Sequence, residues 1–369
     1  MSPERMEHLL QLVAPLITKQ DTNYRKAIPP ADRLMVTLRY LASGNSQVSL
    51  SYLFLMGKKT ISRIVSETSR AIYLALQDPY FTAPKSPEQW KMISAEFSDL
   101  WQFPHVIGAI DGKHVRIKAP KRSGTNYHNY KGYFSIQLLA VCDAKYKFIF
   151  ADVGQYGSNN DCAVLNNSKI GEGLERGTLS IPSDEKIPGI DGLDMPYYLL
   201  GDEIFPLEPY LMRPYPGTQP EPGQVFNYRQ SRARLPIENS FGILVARWRI
   251  FECPIQTNQD NAKSFVMACL CLHNYLRMTE NSLYTPYGFI DVATKGGEIK
   301  PGDWRRHEVT NGAIVPIKKL RGRRNKDHAK KVRDSLKDYF NQVNVLPWQL
   351  AKVRTVGTTV ASDSDSDSD

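Results

Sequence analysis

The sequence predicts an α/β fold, a mixed sheet flanked by helices, behind an N-terminal all-α region. Residues 106–117 alternate: Ile107, Ala109, Asp111, Lys113, Val115 and Ile117 share one parity, the pattern of a half-buried strand. Two more strand-like runs follow closely, and their short connections favour antiparallel pairing. On either side, apolar residues recur at helical spacing. Asp111 interrupts the apolar parity of its strand, and a carboxylate there is costly unless a cation meets it. A partner Arg or Lys, a bend at Gly112 that returns the side chain to water, or a metal ion would each answer that cost.

With 369 residues the chain can bury a full core, enough for two domains plus extensions. No apolar run approaches the roughly 18 residues of a membrane span, and no secretory signal is visible. Five cysteines, an odd number without CxxC pairs, suit a reducing compartment. The net charge is +9, and leaving aside the four aspartates of the terminal Ser-Asp repeat raises it to +13. Such a balance suits a polyanionic partner.

Residues 1–90 read as a helical, helix-turn-helix-like DNA-binding region. Pro30 and Asp32 open a helix that carries Leu34, Met35, Leu38 and Leu41 and ends at Gly44. A short helix over 49–56, a break at Gly57 and a longer helix over 59–76 give the helix-turn-helix layout. Ile61, Ile64, Val65 and Ile72 form the apolar face of the longer helix. Its other side carries Lys58, Lys59, Thr60, Ser62, Arg63 and Ser66, which suits DNA contact. A helical bundle that merely packs on the next domain is the alternative. Residues 77–104, rich in Pro and aromatics, read as a linker with a short helix, and 91–104 lead into the first strand.

The second and third strands fall at 134–142 and 147–153, with Asp143-Ala-Lys145 as a tight turn between them. Gly157-Ser-Asn-Asn-Asp161 breaks the sheet, and helical spacing resumes over 162–170 with Asn160 or Asp161 near the N-cap. After an insertion over 171–195, Tyr197-Tyr-Leu-Leu-Gly-Asp202 is a short apolar run ending in a carboxylate. Residues 204–228 hold six prolines and read as loop. The helix over 231–250 has Ile237, Phe241, Leu244 and Trp248 on one face and Glu238 at its edge. Residues 265–276 are apolar almost all round, hence a buried helix. From 291 onward order is expected to fall away through a C-terminal extension (281–369). It holds a basic run over 318–331, with eight Lys/Arg against one acid, and the Ser-Asp tail.

The strand order β-β-β-α-β-α is the ribonuclease H arrangement, in which the first strand, the fourth strand and a late helix bring acids together. Asp111, Asp202 and Glu238 occupy those places, and Asp161 stands at a helix start between them. Carboxylates packed this closely repel unless a counter-charge intervenes. Mg²⁺ or Mn²⁺ supplies one and prefers oxygen ligands. Two such ions about 3.5–4 Å apart can activate a water or a 3′-hydroxyl for in-line phosphoryl displacement.

Ala109-Ile-Asp-Gly-Lys-His114, Tyr130-Lys-Gly-Tyr133, Gly157-Ser-Asn-Asn-Asp161, Leu199-Leu-Gly-Asp202 and Cys271-Leu-His-Asn274 are five motifs of one ordered set. The sixth runs from Phe226 through Ser231-Arg-Ala-Arg234 to Glu238-Asn-Ser-Phe-Gly242. The set resembles the PIF/Harbinger transposases and the Harbinger-derived nucleases of animal genomes. The resemblance covers about residues 104–276, with the nuclease domain set at 105–280. It implies a DDE endonuclease with Asp111, Asp202 and Glu238 as the metal-binding triad and Asp161 as a further metal ligand, though N-capping also explains Asp161. It implies two divalent cations, metal-dependent DNA strand cleavage and 3′-end joining, and double-stranded DNA as partner. It further implies a Myb-like assisting protein, a homo-oligomer and a nuclear location. A domesticated host nuclease and a non-catalytic DNA- or chromatin-binding factor are the rival readings.

Arg232 and Arg234 precede Glu238 on the same helix and could hold a phosphate, or face solvent. Lys131 could contact DNA. Lys113 shares the face of Asp111, whereas His114 points to the opposite one and reads as structural. Cys269 and His273, four residues apart on one helix, have zinc-compatible spacing but read as core in so apolar a segment.

Overall fold

The computed structural model describes residues 1–159, 161–294, 296–307, 312–316 and 327–354, with the side chains of 161–163 and 307 excepted. Ser2 caps α1 (Pro3–Ile17) by accepting from the Arg5 amide, with Pro3 at the first helical position. α2 (Pro30–Ser43) ends at Gly44, whose φ of +65° suits glycine. A side chain there would also meet the Arg249 carbonyl oxygen at 2.5 Å. α3 (Gln47–Leu53), a turn and α4 (Lys58–Tyr80) follow the expected short helix, glycine break and long helix closely.

These helices are not a separate body. Their apolar residues Leu9, Leu34, Ile61 and Ile72 belong to one continuous core with Leu270, Tyr275 and Leu336 from the far end of the chain. The helix expected within the 77–104 linker is α5 (Pro87–Trp101), long enough to take up most of 91–104. Ser86 caps it, Pro87 opens it, and Trp90, Phe97 and Trp101 bury one stripe against the sheet.

The sheet forms from β1 (Val106–Arg116), β2 (Ser135–Cys142) and β3 (Phe148–Tyr156), paired antiparallel as the short connections require. Asp143 accepts from the amides of Lys145 and Lys147 at 2.9 Å and closes the β2–β3 turn. Then come α6 (Asp161–Asn166), α7 (Lys169–Arg176), β4 (Tyr198–Leu200) and β5 (Leu211–Met212). β4 joins β1 in parallel and β5 joins β4, giving the order β3-β2-β1-β4-β5. This is the mixed sheet flanked by helices that the sequence predicts. A second apolar cluster, with Trp90, Ile110, Val164, Leu165 and Phe205, fills its other face.

α8 (Glu221–Arg247) starts well before the expected 231, because Pro222 is tolerated in a first helical turn. α9 (Gln259–Thr279) is the expected buried helix. In it the His273 Nε2 lies 2.8 Å from the Tyr146 carbonyl oxygen and can only donate, so Nδ1 accepts from the Tyr284 hydroxyl at 3.1 Å. Both ring nitrogens are used, which fits the core reading over the zinc one. Asn274 accepts from the Phe148 amide at 2.9 Å and donates to the Phe148 carbonyl at 2.6 Å, clamping the start of β3.

Order does not fall away at 291. After α10 (Asn281–Tyr284) and the small hairpin of β6 (Val292–Ala293) and β7 (Ile299–Lys300), the chain crosses α8. There the Trp304 indole donates to Asn239 Oδ1 at 2.8 Å. A side chain at Gly242 would come within 2.3 Å of that indole. β8 (Ile314–Pro316) then pairs antiparallel with β1, and α11 (Asp327–Gln342) buries Ala329, Val332, Leu336 and Phe340 against α8. The extension thus completes the sheet and the core. Most of the 318–331 basic run and the Ser-Asp tail lie outside the described residues. Among the described residues, no helix is long and apolar enough to cross a membrane.

Candidate active site

β1 meets two different partners along one edge. Its first half pairs with β4, ending at Ala109 opposite Leu200, and its second half pairs with β8 from Lys113 to Val115. Asp111 and Asp202 each lie two residues beyond the last β1–β4 pair. Parallel register and period two therefore aim them to the same side of the fork where the strands part. Gly201 is the turning point. Its carbonyl accepts from Gln230 Nε2 of α8 at 2.6 Å, and a side chain on it would come within 2.8 Å of the Phe205 ring. Asp202 then accepts from the Ile204 amide at 3.0 Å. Asp111, Asp202, Gly112, Leu139, Val164 and Phe205 line a narrow cleft at this fork.

Asp111 is 5% exposed, and its side chain is held from two sides. Oδ1 accepts from the Gly112 amide at 2.9 Å, and Oδ2 lies 2.6 Å from Lys113 Nζ. Across the fork, Glu238 stands on α8 one turn after Arg234, with 3.5 Å between its carboxylate and the guanidinium. Desolvation pushes the Asp202 carboxyl upward and the Asp111 charge adds to it, while Arg234 and Lys113 pull it back. Glu238 keeps 37% of its side chain open, yet desolvation raises its carboxyl too. Arg234 opposes that rise most and Asp111 reinforces it. Asp111 therefore acts on both other acids, and Lys113 and Arg234 offset part of the cluster's charge.

Among the described residues, no three His, Cys, Asp or Glu side chains are gathered around one point as ligands of an ion would be. The donor chemistry nevertheless fits a hard divalent cation: the groups facing the fork are carboxylates, and Asp111 Oδ2 takes no hydrogen bond from a neutral donor. Asp161 opens α6, one turn before Val164 of the cleft lining, and its carboxylate lies outside the described side chains.

The other sequence candidates divide. Lys58, Lys59 and Arg63 are exposed along one side of α4. Lys131 is exposed, with its ammonium 2.5 Å from the Pro316 carbonyl oxygen and near the Tyr130 ring. Arg234 faces the acids. Arg232 does not: it is 5% exposed, donates to Gln102 Oε1 at 2.6 Å and lies over the Trp101 and Trp348 rings. Arg232 is thereby turned away from the acids, because α8 is packed on that side by α5 and the chain's C-terminal segment. His114 is fully buried on the opposite face, 3.1 Å from Ser135 Oγ, and burial first and Lys131 second lower its pKa to about 4. Gln230 is the residue periodicity passes over, while Lys113 stands on the Asp111 face as strand parity predicts. Gln230 is a polar residue on a buried helix, and Lys113 follows an acid by one strand period.

Residues 110–274, which hold all three carboxylates of the fork, match the family model described as DDE superfamily endonuclease. The chain is similar to "Putative nuclease HARBI1" of Rattus norvegicus, 28% identical over 271 residues that cover 72% of each chain. The Homo sapiens protein of that name is 26% identical over 270 residues, again 72% of each. "Protein ALP1-like" of Arabidopsis thaliana is 28% identical over 289 residues, 75% of this chain and 68% of that one. No solved structure matches the chain.

Proposed function

Because this chain belongs to the DDE superfamily endonucleases, we propose that it is a Harbinger-type, ribonuclease H-like DNA nuclease that cuts DNA strands and joins the 3′ ends, as a transposase. The observation that carries the reading is that Asp111 and Asp202 line one cleft, each two residues beyond the last β1–β4 pair, with the Asp111 charge felt at Glu238 as well. Asp111, Asp202 and Glu238 would hold Mg²⁺ or Mn²⁺, two ions in all, and Asp161 would add a ligand. Bound there, such ions make a water or 3′-hydroxyl nucleophilic and steady the leaving oxygen. Asp111, on β1, and Asp202, just beyond β4, would set the distance across the site. Glu238, with its carboxyl raised and partly open, orients the attacking oxygen by accepting its proton in a hydrogen bond. Arg234 offsets the negative charge that gathers when a phosphate approaches.

Crystals grown with Mn²⁺ test this directly. An anomalous peak touching Asp111, Asp202 and Glu238 is the expected result, and a peak at some other group of side chains would sink the assignment.

Double-stranded DNA is the proposed substrate, and α3 with α4 is the proposed helix-turn-helix. Exchanging Lys58, Lys59 and Arg63 for Gln together should weaken DNA binding at every sequence. It should also flatten the slope of log affinity against log salt by about 0.9 for each phosphate that is no longer neutralised. Anisotropy titrations at several salt concentrations measure it, and an unchanged slope would remove this face from the interface. A nuclear location, a Myb-like partner and self-association belong to the same reading.

A second reading fits about equally: a domesticated nuclease that cuts but does not join, favoured by the relatives whose name reads nuclease. Labelled DNA ends separate the two, since only a transposase yields joined product.

A further inference from the structure

We propose that Lys113 is an exchangeable counter-ion: it holds Asp111 until a divalent cation takes the carboxylate, so that loading the site releases the lysine ammonium. This rests on the metal-site reading above and goes beyond it by assigning a role to the neighbouring residue of β1.

The backbone of Lys113 is fixed from both sides, opposite Leu138 of β2 and Pro316 of β8. Only its side chain is at liberty to move. That side chain is 15% exposed, and its ammonium lies 2.6 Å from Asp111 Oδ2 and 5.4 Å from the centre of the Phe241 ring on α8. It is therefore lodged between the strand that carries Asp111 and the helix that carries Glu238. Its charge is felt at Asp202 and at Glu238 as well as at Asp111.

One feature separates this pair from an ordinary structural ion pair. A buried carboxylate built to stay paired has its remaining lone pairs satisfied by neutral donors. Asp111 Oδ2 takes none, and among the described residues the ammonium is its one partner. An ammonium and a divalent cation compete for that oxygen, since like charges a few ångströms apart in a partly buried site repel strongly. Loading and release are then one equilibrium. A lysine suits the task better than an arginine, because it is a compact charge on a flexible stem with no bidentate grip on the carboxylate. The freed ammonium is available at the mouth of the fork to a phosphate of the substrate, which ties DNA engagement to a loaded site.

The test is Mn²⁺ binding by calorimetry, together with thermal melts with and without Mn²⁺, on the full chain and on Lys113→Met. The variant is expected to bind Mn²⁺ on the order of five- to tenfold more tightly, the lower range of coupling between linked sites. It should melt below wild type without Mn²⁺, where Asp111 is left buried and unpaired, and regain most of that difference at saturating Mn²⁺. A lysine that merely fastens β1 to α8 would give a loss that Mn²⁺ does not restore and an unchanged affinity; that result overturns the proposal. Lys113→Gln serves if the Met variant does not fold, with the same gain in affinity expected. If neither wild type nor variant takes up Mn²⁺, the metal-site reading itself fails, and the counter-ion with it.

Discussion

Asp111→Asn is expected to lower DNA cleavage in Mg²⁺ by roughly 10³-fold or more while leaving the fold intact. The substitution keeps the side chain's size and an oxygen for the Gly112 amide at its present 2.9 Å. What it removes is one negative charge from a fork where three carboxylates act together. A divalent cation at such a site is worth several kcal/mol in the transition state, and each 1.4 kcal/mol or so is a factor of ten in rate. The loss should lie in kcat rather than in DNA affinity, because Asp111 lies within the cleft and the exposed cations of α4 lie elsewhere. Lys113 loses its partner in this variant, so a modest fall in melting temperature accompanies the loss. A gel assay on supercoiled plasmid reads the rate and a thermal melt reads the fold. Cleavage at the wild-type rate by a folded Asp111→Asn protein would remove the catalytic reading altogether.

The place of Asp111 was legible because a strand has period two and its buried parity tolerates few charges. The partner strand was legible for the same reason, since a short apolar run ending in Asp202 reads as a buried strand feeding a cleft. The answer to the cost of that charge was harder to read. The sequence leaves a cation partner and a metal as alternatives, and the structure holds Lys113 at 2.6 Å from the Asp111 carboxylate. Sequence order could not show that the lysine one strand period along is the cation that meets this carboxylate.

Elsewhere, composition hid periodicity. Pro84, Pro87 and the tryptophans make 77–104 read as a linker with only a short helix, although Trp90, Phe97 and Trp101 form one stripe of a 15-residue helix that opens on a helix-starting Pro. Ala329, Val332, Leu336 and Phe340 are likewise at helical spacing, but they adjoin the basic run and were overshadowed by it. β8 has three residues, too few for alternation to register. Arg232 failed for a different reason. α8 is covered on several sides, so spacing along it could not tell which arginine faces the acids and which faces tryptophans.

Phe340→Ala is the corresponding test of the C-terminal segment, and it is expected to cost about 3–5 kcal/mol of stability. Phe340 is fully buried, with its ring centre 4.8 Å from that of Phe103 and 6.2 Å from that of Phe226. The Arg229 guanidinium lies over its face at 4.3 Å. That guanidinium is itself fully buried and, among the described residues, donates to neutral acceptors: the Gln349 side chain and the Asn344 carbonyl, both at 3.1 Å, the Asn344 side chain at 2.9 Å and the Gln102 carbonyl at 2.5 Å. Burial pushes the Arg229 pKa down to about 9, so the ring beneath it is part of what makes the charge tolerable there. Removing the ring opens a cavity between α5, α8 and α11 and withdraws that support in the same stroke. The Arg229→Ala and Phe340→Ala losses should therefore fall short of adding in the double variant, as contacting residues do. Urea unfolding of the wild type, both single variants and the double measures the coupling. Against a total stability of about 5–15 kcal/mol, a loss of this size is a large share of what holds the chain folded. A cost under about 1 kcal/mol for Phe340→Ala would mean that α11 contributes little to the core, and that the C-terminal segment is the dispensable extension its composition suggested.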